Sequence, residues 1–391
     1  MISKFYLKQG KGRKAENGFS WIYTDEIAGF DGEYTNGDIV DVYNFKDNFI
    51  GRGYVNDQSK ITIRLLTRDI NEEINKDFFK KRFKSAFEYR NKVIDTSCCR
   101  VVFGESDLLP GVTIDKYNDY YVIQSLTLGI DKYKSLFVEI LIDDFNAKGV
   151  YERSDARVRA LEGMELTKGF LTDPFDTNII IEENGVKFKI DIENGQKTGY
   201  FLDQKLNRLA IQNLCKDGDV LDCFTHTGSF ALNAGIAGAK SVLGIDISES
   251  AIALARENAE LNNLSDRVKF ECHNAFDVLK DWSKEGRQYD MVILDPPAFT
   301  KSRGTISNAV RGYKEVNLRA MKMVKKEGFF ATCSCSHFMN EDLFKKTIYE
   351  ASKDAHRTLK QIEFRTQAPD HPVLWSSDES YYLKFAIFQV L

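Results

Sequence analysis

Residues 220–230 have the sequence VLDCFTHTGSF, in which an apolar run meets a polar turn that contains a single glycine. Similar short apolar runs recur through the second half of the chain, separated by helical patterns such as Glu249–Asn262. Strands that alternate with helices at this spacing form a parallel sheet with helices on both faces. The predicted strands are Val220–Phe224, Ser241–Ile247, Val268–Cys272, Met291–Leu294 and Phe329–Cys333. We therefore expect an α/β fold with a mostly parallel sheet in this part of the chain.

The final apolar segment, Tyr381–Val390, has a different predicted place in the sheet. It follows the last helical pattern too closely for another right-handed crossover connection. We therefore predict an antiparallel strand at the edge of the sheet.

Two further parts precede the α/β part. Residues 1–70 contain three predicted strands, Asp38–Phe45, Phe49–Val55 and Ile61–Leu66, with turn signals between them, and form a small β domain. Residues 71–185 begin with an amphipathic helical pattern over Asn71–Arg100 and continue with strands and one more helix, Tyr133–Phe145. We therefore divide the chain into a β domain at 1–70, an α+β domain at 71–185 and an α/β domain at 186–391.

The composition excludes several classes of protein. The chain has 391 residues, 43% hydrophobic and 29% charged, with a net charge of −4, which is typical of a soluble globular protein of two to four domains. It has no apolar run long enough to span a membrane and no apolar signal core at its start, so we expect a cytoplasmic protein. The seven cysteines include no CxxC pair and the five histidines have no metal-ligand spacing, so we predict no metal site.

Ligands of an open α/β sheet bind at the carboxyl ends of its strands. After the first predicted strand only Gly228 is present, whereas the dinucleotide fingerprint G-x-G-x-x-G requires three glycines, which argues against an NAD oxidoreductase. The second predicted strand ends near Asp246, eighteen residues after Gly228. A carboxylate at this position suits the two hydroxyls of an adenosine ribose, in NAD or in S-adenosylmethionine.

Two further strand ends carry candidate site residues. The fourth ends in Asp295-Pro296-Pro297-Ala298-Phe299, where two prolines stiffen the turn and hold a carboxylate and a ring at fixed positions. The fifth ends in Thr332-Cys333-Ser334-Cys335-Ser336, and side chains two apart in a strand face the same way. Taken alone, the two cysteines are equally consistent with packing thiols.

The chain resembles class I S-adenosylmethionine-dependent methyltransferases and, more narrowly, the ribosomal RNA large subunit methyltransferase I family. The resemblance rests on Asp222–Phe230, Asp246, Asp295-Pro296-Pro297 and Ser334-Cys335-Ser336, and on further motifs throughout the chain. These motifs are LPGVTID at 109–115, YERSD at 151–155, EGMELT at 162–167, KTGYFLDQ at 197–204, RGYK at 311–314, FR at 364–365 and DHPV at 370–373. The resemblance implies a PUA domain at 1–70, an EEHEAD domain at 71–185 and a Rossmann-like, seven-stranded methyltransferase domain at 186–391.

The resemblance also implies a site, a cofactor and a partner. S-adenosylmethionine would be bound by Phe201, Gln204, Arg208, Cys223, Phe224, Thr225, Thr227, Gly228, Asp246, Ile247, Asn274 and Asp295. Relatives often carry an acid at the position of Asn274, and Cys333, unlike Cys335, lies outside the shared pattern. The substrate residues would be Pro296, Pro297, Phe299, Lys301 and Arg303, and the catalytic residues Cys335 and Asp295. The implied partner is ribosomal RNA, with a homodimer left open.

The implied product is 5-methylcytosine in 23S rRNA. Carbon 5 of cytosine is a weak nucleophile, and a thiolate that adds to carbon 6 activates it. Between Phe299 and Lys326 the chain carries eight Lys and Arg against one Glu, a local surplus that suits RNA. Two alternatives are a methyltransferase for an exocyclic nitrogen such as guanine N2, which needs no cysteine, and a protein that binds S-adenosylmethionine and RNA without catalysis.

Overall fold

The structure is a computed structural model that describes residues 2–300 and 303–391, without the side chain of Arg303. The chain forms two compact units, each made of three segments. Unit 1 contains the described residues up to Ile179, together with Ile190–Leu202 and Pro369–Ser380. Unit 2 contains Ile180–Lys189, the described part of Asp203–Ala368, and Tyr381–Leu391.

Unit 1 begins with a six-stranded sheet in the order β2-β6-β5-β4-β1-β3, in which only the β1–β4 pair is parallel. The three strands expected in this region are present, and three earlier strands were not predicted. The third of them carries mostly exposed or half-buried residues, so it has no continuous apolar run. The elements are β1 (Ser3–Leu7), α1 (Arg13–Glu16), β2 (Trp21–Tyr23), β3 (Ile27–Asp31), β4 (Ile39–Tyr43), β5 (Phe49–Val55) and β6 (Ile61–Thr67).

The rest of unit 1 is an α+β arrangement around a five-stranded sheet in the order β11-β10-β9-β8-β7. The predicted amphipathic helix is shorter than expected, because Asn75 caps its start by accepting a hydrogen bond from the backbone N–H of Phe78 at 3.1 Å. Its buried Phe79 and Phe83 pack against Phe137. The elements are α2 (Lys76–Val93), β7 (Cys98–Phe103), β8 (Val112–Tyr117), β9 (Tyr120–Ser125), α3 (Leu128–Asp131), α4 (Lys134–Phe145), β10 (Gly149–Ser154) and β11 (Thr167–Phe170).

Unit 2 is built on a seven-stranded sheet in the order β16-β15-β14-β17-β18-β20-β19. The strands up to β18 pair in parallel and β20 is antiparallel to both its neighbours, which confirms the mostly parallel α/β fold. The remaining elements include a hairpin of β12 and β13 ahead of this sheet. They are β12 (Asn178–Glu183), β13 (Val186–Asp191), α5 (Lys205–Ala210), α6 (Gln212–Cys215), β14 (Asp219–Cys223), α7 (Ser229–Ile236), β15 (Ser241–Asp246), α8 (Glu249–Leu261), β16 (Val268–Cys272), α9 (Ala275–Glu285), β17 (Tyr289–Leu294), α10 (Ile306–Lys322), β18 (Val324–Ser334), α11 (Glu341–Asp354), β19 (Leu359–Arg365) and β20 (Lys384–Val390).

The prediction of an edge strand at Tyr381–Val390 was wrong in its position. The segment forms the antiparallel strand β20, but β20 lies between β18 and β19, and β19 is the edge. The helix α11 and β19 complete one more crossover, which leaves room for β20 beside β18. The strand β19 escaped prediction because none of its side chains is fully buried, so it lacks an apolar run.

No helix in the described ranges is both long and apolar enough to cross a bilayer.

Candidate active site

The loop between β14 and α7 is held by a buried carboxylate. Asp222 accepts a hydrogen bond from the Thr225 hydroxyl at 2.5 Å and another from the backbone N–H of Ala231, in the first turn of α7, at 2.9 Å. Burial raises the pKa of Asp222 to about 7, against these two hydrogen bonds. The loop therefore has a fixed conformation set by a side chain beneath it.

The same loop contains three left-handed residues, Phe224, His226 and Gly228, with φ of 65°, 51° and 87°. A Cβ at Gly228 would lie 2.6 Å from the ring of Phe270, so glycine is required there. Left-handed residues other than glycine store strain and are concentrated at functional sites. The loop after the carboxyl end of β14 therefore has an unusual backbone conformation of the kind found at functional sites.

At the end of β15, Asp246 is placed for a diol. One of its oxygens accepts from the backbone N–H of His226 at 3.0 Å and the other from that of Ser248 at 3.0 Å. Each carboxylate oxygen has two lone pairs, so each keeps an acceptor position. The next residue, Ile247, exposes 70% of its surface, an apolar group beside this carboxylate.

Asn274 follows β16 and begins α9. Its side-chain oxygen accepts from the backbone N–H of Phe276 at 3.1 Å and caps the helix. The cap uses one lone pair of the amide oxygen, and the other stays open toward a donor such as an adenine amino group.

Asp295, at the end of β17, is oriented by two donors. The thiol of Cys333 donates to one carboxylate oxygen at 2.8 Å, and the amide of Gln204 donates to the other at 3.2 Å. Burial, followed by the charge of Asp295, raises the pKa of the Cys333 thiol well above its ordinary value, so Cys333 is a donor at neutral pH. Each oxygen of Asp295 thus accepts a hydrogen bond, and its second lone pair lets the carboxylate accept another from a ligand.

Cys335 is the first residue after Ser334, the last residue of β18, and it is half-buried, whereas Cys333 is fully buried. Its neighbour Ser336 donates a hydrogen bond to the carbonyl of Thr300 at 3.0 Å. This bond ties the segment that carries Cys335 to the loop that begins at Asp295. The two sequence candidates therefore lie on connected segments at one edge of the sheet.

A row of aromatic rings follows the same edge. Phe224 contacts Phe276 at 5.9 Å between ring centroids, Phe276 contacts Phe299 at 5.5 Å, and Phe299 contacts Tyr313 at 4.5 Å. Of the two prolines before Phe299, Pro296 is buried and Pro297 is exposed. Phe276 exposes 39% of its surface, and the sequence analysis did not single it out. An aromatic residue directly after an N-cap at a strand end is the signal that would have found it.

Several residues predicted to bind the cofactor have side chains that are buried or that contact a charged side chain. Arg208 is 1% exposed, and its guanidinium donates twice to Glu183, at 2.6 and 3.0 Å. Phe201 belongs to unit 1, where its ring lies under the ammonium of Lys197. The side chains of three others are buried in unit 2, namely Cys223, Thr225 and Thr227.

Ion pairs in the folded chain compensate part of the basic surplus that follows Phe299. Lys314 pairs with Asp354 at 2.8 Å, Arg319 with Glu315 at 2.8 Å and Lys325 with Asp290 at 2.8 Å. Lys325 also stands at the start of β18, the end of that strand away from Cys335. Of the two predicted RNA contacts, Lys301 lies outside the described residues, and so does the side chain of Arg303.

A cavity of about 710 Å³ lies at the amino ends of β14 and β15, lined among others by Asp217, Lys240 and Arg267. The site described above lies at the carboxyl ends of the strands, where ligands of open α/β sheets bind. The cavity lies at the opposite ends of the strands and is therefore separate from it. Within the described ranges no group of three or more His, Cys, Asp and Glu side chains is placed to hold a metal ion.

The carboxyl edge of unit 2 fits the nucleoside part of S-adenosylmethionine. Asp246 offers acceptors for ribose hydroxyls, and the exposed side chains of Ile247 and Phe276 offer apolar surface to a purine. The oriented acceptor Asp295 stands at a neighbouring part of the same edge. These acceptors and apolar side chains suit a polar nucleoside that lies beside a second, reacting group.

Comparisons with known proteins agree with this fit. Residues 154–385 match a family model described as S-adenosylmethionine-dependent methyltransferase, and residues 5–68 match that of a PUA-like domain. The ribosomal RNA large subunit methyltransferase I of Pseudoalteromonas atlantica is 39% identical and is matched over 100% of both chains. That of Alteromonas mediterranea is 37% identical, over 100% of this chain and 99% of the relative.

Among solved structures, SMU.776, a methyltransferase complexed with SAH, matches 100% of both chains with a TM-score of 0.85 at 22% identity, which supports the fold. The full-length relatives decide the family. The chain belongs to the ribosomal RNA large subunit methyltransferase I family, and it is an S-adenosylmethionine-dependent methyltransferase with a PUA-like domain at its amino-terminal end.

Proposed function

We propose that this enzyme makes 5-methylcytosine in 23S rRNA, in the cytoplasm, through a covalent adduct of Cys335. The observation that carries the proposal is the pair of cysteines at the end of β18. Cys333 is buried and donates to Asp295, whereas Cys335 is half-buried on a segment tied to the Asp295 loop. One thiol thus orients a carboxylate, and the other is partly exposed at the same edge.

The residues have distinct roles in this reaction. The Cys335 thiolate forms a bond to carbon 6 of the cytosine ring, and the electron pair of the 5,6 double bond becomes available at carbon 5. Bound S-adenosylmethionine supplies the electrophilic methyl group. Asp295 accepts a hydrogen bond from the cytosine amino group and fixes the ring relative to Cys335. Loss of the carbon 5 proton to a base then releases the thiolate and restores the double bond.

The cofactor would be held by the residues named from the sequence, chiefly Asp246 at the ribose. Arg208 would act only through Glu183, because its guanidinium is engaged there. The division into domains at 1–70, 71–185 and 186–391 remains part of the proposal, with the first domain contacting RNA. The extruded base would meet Pro297 and Phe299 and leave its stack at a cost of a few kcal/mol.

The test compares two cysteine variants on unmodified large-subunit rRNA. Cys335→Ala should lose 5-methylcytosine formation, measured by mass spectrometry of nucleosides, and keep S-adenosylmethionine binding, measured by calorimetry. Cys333→Ala is the matched control. It loses one hydrogen bond to Asp295, so its rate should fall by roughly tenfold at most, and Cys333→Ser should recover part of that loss because a hydroxyl also donates.

A substituted RNA supplies the second readout. With 5-fluorocytosine at the target position, the wild type should form a covalent protein–RNA species that survives denaturation, because fluorine cannot leave as a proton does. Full activity in Cys335→Ala, with a methylated guanine as product, would instead favour an exocyclic-nitrogen methyltransferase.

A further inference from the structure

Unit 2 contains a buried lysine that the proposed reaction does not use. Lys384, the first residue of β20, is 1% exposed. Its ammonium donates to the carbonyl of Ser336 at 2.6 Å and to the carbonyl of Tyr382 at 2.8 Å. A buried ammonium is costly unless charge or hydrogen bonds compensate it, so its position needs a reason.

The strand pairing brings Lys384 next to the segment that carries Cys335. Lys384 stands directly opposite Ser334 in the antiparallel ladder of β18 and β20. Its side chain then reaches the carbonyl of Ser336, two residues further along. Lys384 therefore lies opposite the residue before Cys335 and contacts the residue after it.

Three groups that can carry negative charge influence the pKa of the ammonium. Burial lowers the pKa of Lys384 to about 8, and the opposing influences are, in order of size, Cys335, Cys333 and Glu341. With a pKa near 8 the ammonium is still mostly charged at neutral pH. The lysine therefore brings a positive charge to the end of β18.

Of these three groups, Glu341 has other partners and Cys333 is neutral. Glu341, at the start of α11, is paired with Lys345 at 2.6 Å and accepts from the Tyr381 hydroxyl at 2.9 Å. Cys333 stays a thiol at neutral pH, because its burial and the charge of Asp295 oppose ionisation. Cys335 is the remaining group, and its influence on the ammonium is the largest of the three.

We propose that Lys384 is a positioning residue that stabilises the thiolate form of Cys335. The thiol proton leaves to water, and the buried ammonium compensates the charge left on sulfur. The link to methyl transfer rests on the proposed function, in which Cys335 is the nucleophile, whereas the effect on the thiol does not. It can therefore be measured without the reaction.

The experiment follows alkylation of Cys335 by iodoacetamide against pH, in the full-length protein with peptide mass mapping. A Cys272→Ser background removes the one exposed cysteine, and the other five are buried. The wild-type profile should have its midpoint below the ~8.5 of an ordinary thiol. Lys384→Met should raise the midpoint by roughly one pH unit or more, and Lys384→Arg should restore part of the difference.

Lys325→Met is the matched control, because Lys325 is also a lysine at this sheet but at the opposite end of β18. It should leave the profile unchanged. Calorimetric binding of S-adenosylmethionine reports whether each variant is folded.

A folded Lys384→Met protein with the wild-type profile would overturn the proposal. So would a wild-type midpoint at or above 8.5, which needs no variant and therefore decides the case even if Lys384→Met does not fold. If Cys335→Ala keeps its activity while the profile shifts as expected, the proposed function fails and the assignment of Lys384 stands.

Discussion

At the scale of single residues, Asp246 has the most direct measurable consequence. Its two oxygens each accept one backbone N–H and each keep an acceptor position toward the carboxyl edge. Asp246→Ala should weaken S-adenosylmethionine binding by about 1–3 kcal/mol, because the ribose hydroxyls are left without their acceptor. Calorimetry gives the affinity directly. The control is Asp266→Ala, an exposed carboxylate that precedes β16 at the opposite edge, and equal affinities in the two variants would remove Asp246 from the site.

The residues of the site differ in how far the sequence could identify them. Asp246, Asp295 and Cys335 were predicted as site residues because they lie at or just after the carboxyl ends of predicted strands, which share one edge in a parallel sheet. The contact of Gln204 with Asp295 spans 91 positions of sequence, and no local pattern encodes it. The family resemblance named Gln204, but its place beside Asp295 and Cys333 came only from the structure.

At the scale of elements, β14, its loop and α7 act together through Asp222. The folded chain binds the Asp222 proton more tightly than the unfolded chain, because burial raises the pKa to about 7. This contribution to stability is complete below the ordinary aspartate pKa of ~3.9 and is lost as the pH rises through about 7. Asp222→Asn does not titrate, so its stability relative to wild type should increase over this interval, by at most about 1.4 kcal/mol per pH unit.

Urea unfolding at several pH values measures this difference, with the fluorescence of the buried Trp282 in α9 as the reporter for unit 2. Trp21→Phe and Trp375→Phe, both in unit 1, leave Trp282 as the one tryptophan. Asp277→Asn, an exposed residue of the same helix as Trp282, is the control. Parallel stability curves for wild type and Asp222→Asn would show that the raised pKa does not affect folding.

Most strands of the seven-stranded sheet were predicted from sequence. The strands β14, β15 and β17 are largely buried, β16 lies partly exposed at one edge, and all four were expected. The exposed β19 was not, and this single omission placed β20 at the edge instead of between β18 and β19. The error does not affect the pairing of β20 with β18, which brings Lys384 opposite Ser334.

At the scale of the whole molecule, the two units share the end of the chain. Residues 369–380 belong to unit 1, where Asp370 accepts from the backbone N–H of Arg100 at 2.9 Å and its carbonyl accepts from the buried Arg90 at 2.9 Å. Residues 381–391 belong to unit 2 and supply β20. Neither unit therefore corresponds to one continuous segment, and each includes a segment that follows Ala368.

A chain that ends at Ala368 should consequently lose stability in both units. Unit 1 would leave the buried Arg90 without one of its acceptors, and unit 2 would leave β19 without a partner strand, since β20 is its one neighbour in the sheet. We expect Trp282 fluorescence and limited proteolysis to report an unfolded or readily cleaved protein under conditions in which the full chain is intact. Removing only Leu391, which lies beyond β20 and is 45% exposed, should leave the wild-type transition. A truncated chain in which either unit unfolds at its wild-type midpoint would mean that this unit does not need its last segment.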